Sequence, residues 1–324
     1  MLARRHESEP TGPGSELESN SAGRAGAPAE WLQISASGYP VVPSPPFATL
    51  AGTPYLRAPG IALISSPSIA IDGLKDFLGG FDPQLQFPGY LEDRFQMPPG
   101  AQLCKAAGQL CYMSFGPKRT LNRDASRYFA NIFSSGHGSV LEHACFSLLF
   151  YGISRSVTHE LVRHRAGFAF SQVSQRYVSG RVLRFVERPE YAEDHELHAD
   201  FERRIDAAAV EYDRVAARLI ERQRAGVQIL TADAKTDLRK KVQQAARSVL
   251  PNETEAPICV TANARAWRHF LEMRANPHAE IEIRSLAFRA YLCLVHVEPV
   301  LFGDYGIVPL ADGTFAVDTA NRKV

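Results

Sequence analysis

At 324 residues the chain has material for one large domain or two ordinary ones, and a composition 45% hydrophobic and 22% charged excludes a mini-protein, a coiled-coil rod and wholesale disorder. Lys plus Arg total 36 against 35 Asp plus Glu, a formal net charge of +1, so no global charge points to a nucleic-acid partner and any anion site must be local. The longest apolar runs, such as 146–151, fall far short of the ~20 residues that span a bilayer, and no apolar stretch follows the early arginines, so the expectation is a cytoplasmic protein without a membrane partner.

Residues 1–60 are rich in Pro, Gly, Ser, Ala and Glu and show no periodic apolar face, which reads as a flexible or loosely wrapped arm that Trp31, Tyr39 and Phe47 could partly dock. A single catalytic domain is expected over 61–324, opening on a strand at 61–64. Helices follow over 100–113 and 122–133. The apolar stretch 145–151, closed by Gly152, predicts a buried strand, and 154–165 a helix capped by Ser154. Residues 166–174 lack a period and read as a loop.

Leu197, Phe201, Ile205, Ala209, Tyr212, Val215 and Leu219 recur at three- or four-residue intervals in a charged background, predicting a long amphipathic helix ended by Gly226. Further helices are expected over 232–249, stopping before Pro251, over 262–274 and over 278–297. The five cysteines form no CxxC pair and read as reduced core thiols.

The densest polar cluster is Arg163-His164-Arg165, followed by Ser171-Gln172 and Ser174-Gln175-Arg176. Guanidinium groups form paired bonds to phosphate, and Ser, Gln and loop amides complete an oxyanion cradle, so the cluster suits a phosphorylated ligand; a solvated basic helix end is the plainer alternative. Successive helical residues diverge by about 100°, so one ligand can meet all three only if the helix ends there. A second group, Asn263, Arg265, His269, Arg274 and His278, could read phosphate, carboxylate or a pyrimidine, or simply rim an amphipathic helix. His159 and His164 are five residues apart, which leaves helical imidazoles roughly 140° apart and argues against a zinc-protease helix. No GxGxxG or P-loop is present.

The ordered set Gly136-His137, Glu142-His143, Arg163-His164-Arg165, Ser174-Gln175-Arg176-Tyr177, Arg247-Ser248-Val249-Leu250-Pro251 and Asn263-Ala264-Arg265 through Arg274 and His278 resembles the flavin-dependent thymidylate synthase family over about 61–306. The resemblance implies an α/β (α+β) fold with a central sheet flanked by long helices, assembled as a homotetramer with its sites at subunit interfaces. It implies FAD as cofactor, NADPH and 5,10-methylenetetrahydrofolate as co-substrates, and C5 methylation of dUMP. By position, Ser139, Glu142, Arg163, His164, Arg165, Asn263, Arg265, His269 and His278 would bind FAD. Glu160, Gln172, Ser174, Gln175, Arg176 and Arg247 would hold the nucleotide, Arg274 would meet the uracil, and His137 would sit near flavin and folate. No cysteine lies in these motifs, so a preorganised cation would replace thiolate addition to the pyrimidine, while the cofactors carry the difficult chemistry.

Some features depart from the family pattern. Eight residues separate Arg165 from Ser174 where the family has seven, an insertion in the nucleotide loop that could widen the pocket near the sugar. Glu160 stands where some relatives have Gln, and His269 where some have Asn. Relatives of the nucleoside-antibiotic, polyoxin-type branch methylate UMP, so activity on UMP as well as dUMP is expected. A noncatalytic nucleotide- or RNA-binding module is the competing class, disfavoured by the near-zero net charge.

Overall fold

A computed structural model of the chain describes residues 31–178, 180–225 and 232–322. Eleven strands lie among them: β1 (Gln33–Ile34), β2 (Pro40–Val42), β3 (Pro46–Ala48), β4 (Pro54–Leu56), β5 (Gly60–Ser65), β6 (Cys145–Tyr151), β7 (Phe168–Gln172), β8 (Phe185–Val186), β9 (Ile258–Asn263), β10 (Gly306–Pro309) and β11 (Phe315–Asp318). The helices are α1 (Lys75–Gly79), α2 (Pro99–Cys111), α3 (Ala125–Ser134), α4 (Arg155–Leu161), α5 (Pro189–Ala192), α6 (His195–Arg224), α7 (Ala232–Ala246), α8 (Ala264–Arg274), α9 (Ile281–Val297) and α10 (Pro299–Phe302).

The central sheet has six strands in the order β1-β2-β5-β6-β9-β7, every pair antiparallel. Alternation explains its core face: Phe146, Leu148 and Phe150 on β6 and Ile258, Val260 and Ala262 on β9 are buried, while intervening residues are more open. Trp267, Phe270 and Leu271 of α8 and Ile283, Leu286, Ala287, Ala290 and Leu294 of α9 belong to the same core. This mixed, antiparallel arrangement is the α+β architecture expected. The long helix α6 packs on α7 and buries Phe201, Ile205 and Tyr212 of its stripe, whereas Leu197 is exposed. Gly226, expected to end α6, lies outside the described residues.

Residues 1–30 of the expected arm lie outside the described residues; in 31–60, Trp31 and Tyr39 dock on the core as expected, but the segment is more ordered than a loose arm. It contains β1 to β4; β2 pairs with β5 inside the central sheet, and β4 runs parallel to β8 in a three-stranded sheet. The strands have two or three residues, too few to display a period, and Pro40, Pro46 and Pro54 each stand first in a strand, where a missing donor is tolerated. Thr49 Oγ1 donates to Asp206 at 2.7 Å and Arg57 Nε to Glu187 at 2.8 Å, tying the segment to the body.

Two further corrections bear on the site. The expected loop 166–174 contains edge strand β7, whose Phe168 and Phe170 stack at 5.6 Å, with Phe168 edge-on to Trp267 at 5.4 Å. The expected helix 154–165 stops at Leu161: Arg163 and His164 donate their amides three residues back, to Glu160 and Leu161, as the chain tightens out of the helix. Among the cysteines, Cys104 and Cys293 are buried as expected, but Cys111 and Cys145 are exposed, because each falls on the open side of its element.

Candidate active site

The turn out of β6 and the short α4 deliver the basic cluster. Ser154 caps α4, its Oγ accepting from the Val157 amide at 3.3 Å. Because the helix ends at Leu161, Arg163, His164 and Arg165 escape the helical divergence and line one cavity of about 310 Å³ with Ala166, Phe168, His269, Met273 and Arg274. Gly167 makes the reversal into β7 at φ +77°, where a Cβ would come 2.9 Å from Asn263 Nδ2 and from the Ala266 Cβ. Its lack of a side chain lets the loop close on the start of α8.

Arg274, in the last turn of α8, is the most constrained cation here. Its Nε donates to His164 Nε2 at 3.0 Å and its Nη1 to Glu160 Oε2 at 2.7 Å. Among the described residues Nη2 has no partner, so the guanidinium is held on two sides with a donor edge free for a ligand. His164 is also packed against Phe270, with ring centroids 5.3 Å apart, and against Phe168 and His269. Burial, then the charge of Arg274 and the neighbouring His269, push its imidazole down to about 4. The ring is therefore neutral near pH 7, and accepting at Nε2 places its proton on Nδ1.

That depression has a measurable consequence. Between pH 6.5 and about 4 the unfolded chain binds a proton at residue 164 that the folded chain refuses, so stability falls as pH falls through this window and levels off below it. The drop from 6.5 to about 4 corresponds to ~3 kcal/mol, which partial exposure of the ring reduces to ~1–2 kcal/mol. Urea unfolding at pH 7 and pH 4.5 should show His164→Asn losing less stability than the parent chain across the interval; equal losses would mean that His164 titrates normally.

A second cluster forms at the other end of α8. Asn263 caps the helix, its Oδ1 accepting from the Ala266 amide at 2.8 Å, and Arg265 Nη1 pairs with Glu142 Oε1 at 2.7 Å. Glu142 belongs to the 3-10 turn 138–143, which also carries exposed Ser139, and exposed His137 immediately precedes it. Apart from this cluster, at the Arg274 end of α8, His278 is exposed in the connection to α9, its amide donating to Asn276 Oδ1 at 3.0 Å. None of these residues lines the Arg274 cavity.

The third group begins at the last residue of β7. Gln172 Nε2 reaches Thr158 Oγ1 on α4 at 3.3 Å, and Ser174 Oγ accepts from the Arg176 amide at 3.4 Å. Arg176 is exposed and lies 5.6 Å over the Tyr177 ring. Gln175 turns inward: its Nε2 is buried and has no partner among the described residues, and the residue lines a separate cavity of about 440 Å³ with Arg184, Glu255 and Leu250. Half-buried Arg247 sits in the 3-10 turn that follows α7.

Within one chain, then, Glu160, Arg163, His164, Arg165, His269 and Arg274 converge, while Gln175 lines another cavity. Among the described residues no carboxylate pairs with Arg163, Arg165, Arg176 or Arg247, so their charge is available to an anion. The donor set fits a phosphorylated ligand with an aromatic ring: free guanidiniums for phosphate, Phe168 and Met273 for a flat face, and a clamped Arg274 for a carbonyl. Sequence reasoning missed Phe168 and Thr158 and read Met273 only as packing; the large-small-large alternation 168–170 was the one available signal for the first.

The profile of the family described as "Thymidylate synthase complementing protein" matches residues 95–300. A flavin-dependent thymidylate synthase of Mycobacterium sp. (strain KMS) is 46% identical over 220 residues, covering 68% of this chain and 85% of the relative. One from Mycolicibacterium gilvum (strain PYR-GCK) is 44% identical over 215 residues, covering 66% and 83%. Among solved structures, the UMP/dUMP methylase PolB from Streptomyces cacaoi bound with 5-Br dUMP matches with a TM-score of 0.51 at 19% identity, over 76% of this chain and 94% of that one, a likeness of fold.

Proposed function

This chain belongs to the flavin-dependent thymidylate synthase family and is an enzyme of that type, and on that premise we propose that it methylates C5 of dUMP, and of UMP as well, with FAD as cofactor and 5,10-methylenetetrahydrofolate and NADPH as co-substrates. The observation that carries the reading is the clamped Arg274 facing a cavity that Arg163 and Arg165 leave electropositive.

Each residue has a task in that reading. C5 of a uracil becomes nucleophilic when the ring is polarised, and a guanidinium fixed by a neutral imidazole and a carboxylate supplies preorganised positive charge at a ring carbonyl without reorganising. Glu160 serves this better than a glutamine would, because its charge orients Arg274. Arg176, Arg247 and the Ser174 hydroxyl hold the nucleotide phosphate, with Gln172 beside them. Arg163, Arg165 and His269 would hold FAD beside Phe168, with Asn263, Arg265, Glu142 and Ser139 at the other end of α8, His278 in the connection between α8 and α9, and His137 near the folate. The flavin, when bound, supplies hydride chemistry. No thiol takes part: burial pushes Cys104 and Cys293 up to about 12, and no cysteine lines the Arg274 cavity.

A cavity of about 310 Å³ is at the small end of ligand sites and admits only part of a dinucleotide. Completion by further subunits, as a homotetramer, is part of the proposal. The visible spectrum of purified, FAD-reconstituted protein tests it: bound flavin is expected, and a protein that retains none is not this enzyme.

The sugar is the finer question. A pocket that merely tolerates a hydroxyl discriminates by about a hundredfold or less. With folate and NADPH saturating, kcat/KM for UMP should lie within about a hundredfold of that for dUMP. Removing Ala166, the one residue of 166–169 that is neither left-handed nor in β7, should shift preference toward dUMP. A parent enzyme that forms product from dUMP but none from UMP would show that the inserted residue does not widen selectivity.

A further inference from the structure

The short helix α4 touches both halves of the site, through Glu160 to Arg274 and through Thr158 to Gln172, before delivering the three basic residues. Seven residues do not orient themselves, so what fixes its N-terminal end matters. The preceding turn, Gly152-Ile153-Ser154, is gripped by two buried carboxylates from elsewhere in the fold. Gly152 sits at φ +60°, where a Cβ would lie 2.6 Å from the Ala58 carbonyl oxygen, and its amide donates to Glu255 Oε1 at 2.7 Å. Arg184 neutralises Glu255 through two bonds of 2.6 and 2.8 Å.

Glu282 is different. It lies in the first turn of α9, is 3% exposed, and spends both oxygens on one residue: Oε1 accepts from the Ser154 amide at 2.7 Å and Oε2 from its hydroxyl at 2.8 Å. No cation pairs with it among the described residues; nearby Arg188 pairs with Glu190 and Glu280. Burial pushes the carboxyl up to about 7, with Glu280 adding to the rise and the Ser154 bonds and Arg188 opposing it. A buried carboxyl with no cation beside it opposes folding when ionised, so stability alone does not account for one here, whereas two hydrogen bonds to the residue that caps α4 give that helix a fixed direction.

We propose that Glu282 is a positioning residue for the reaction: by holding Ser154 at both amide and hydroxyl it sets the direction of α4, and through Glu160 the placement of Arg274 against His164. The inference rests on reading the Arg274 cavity as the nucleotide and flavin site. Its test uses the full-length, flavin-loaded chain with Glu282→Ala, Glu282→Gln, Ser154→Ala and the Ser154→Ala, Glu282→Ala double variant, and two readouts. The first is dUMP turnover. Glu282→Ala should lower kcat/KM at least about tenfold, and Glu282→Gln, whose carbonyl still accepts from the Ser154 amide, should recover part of it. The double variant should be no worse than Glu282→Ala within about twofold, because both changes act through one contact.

The second readout is the NMR titration of His164, which needs no substrate. In Glu282→Ala its pKa should rise from about 4 toward 6.5 as Arg274 and the packing around the ring loosen. An unchanged His164 titration overturns the proposal, as does a double variant whose losses multiply. If Glu282→Ala does not fold, Glu282→Gln and Ser154→Ala carry the same two readouts. Absence of dUMP turnover in the parent chain would defeat the functional reading instead, leaving the titration to decide the role of Glu282.

Discussion

Arg274→Ala is expected to lower thymidylate formation by roughly a hundred- to a thousandfold, the loss that follows when one preorganised donor is removed from a developing charge. The protein should remain folded, because the ion pair it loses is partly exposed, with Arg274 at 21% and Glu160 at 37%, and such pairs contribute ~1 kcal/mol or less. Flavin should stay bound, since Arg163, Arg165 and His269 are untouched. Lysine at the same position should not restore activity: an ammonium cannot engage His164, Glu160 and a ligand in one plane. Steady-state kinetics beside the flavin spectrum check this, and near-normal turnover by Arg274→Ala would remove that residue from the mechanism.

The second large effect belongs to Arg176. Its exposed guanidinium stacks on Tyr177 and meets no carboxylate among the described residues, so ligand binding need not break an existing pair. Losing a charge-assisted phosphate contact costs ~1.5–3 kcal/mol, a roughly ten- to hundredfold rise in the dUMP dissociation constant for Arg176→Ala. Uridine without its phosphate should bind the variant and the parent alike. An unchanged dUMP constant would place the phosphate elsewhere.

The parts of the fold visible in sequence are those whose period exceeds their noise. Strand β6 has a seven-residue, mostly apolar run closed by a glycine, and α6 carries its stripe from Leu197 to Leu219 through about six turns; both lie where the pattern puts them. Strand β7 was hidden because small residues alternate with only two phenylalanines, and β9 because it runs without punctuation into α8 at Asn263. The strands of 33–56 are too short for any period and look like a Pro-rich arm.

The site divides in the same way. Arg163-His164-Arg165 and Ser174-Gln175-Arg176 stand out because their charge is local in sequence. The contacts that constrain Arg274 join residues 110 and 114 positions apart, and Arg265 meets Glu142 across 123, distances at which nothing in one sequence announces contact. The stop of the helix at Leu161, which lets the basic triplet face one cavity, has no marker in the sequence itself.

The most direct measurement is product analysis. Purified chain reconstituted with FAD, incubated without oxygen with dUMP, 5,10-methylenetetrahydrofolate and NADPH, should yield dTMP and tetrahydrofolate, lose that activity when FAD is stripped and regain it when FAD is restored. It should retain the activity when the five cysteines are replaced one at a time. A flavin-loaded, folded protein that forms no dTMP, or one in which a single cysteine replacement abolishes it, would contradict cation-polarised methylation at Arg274.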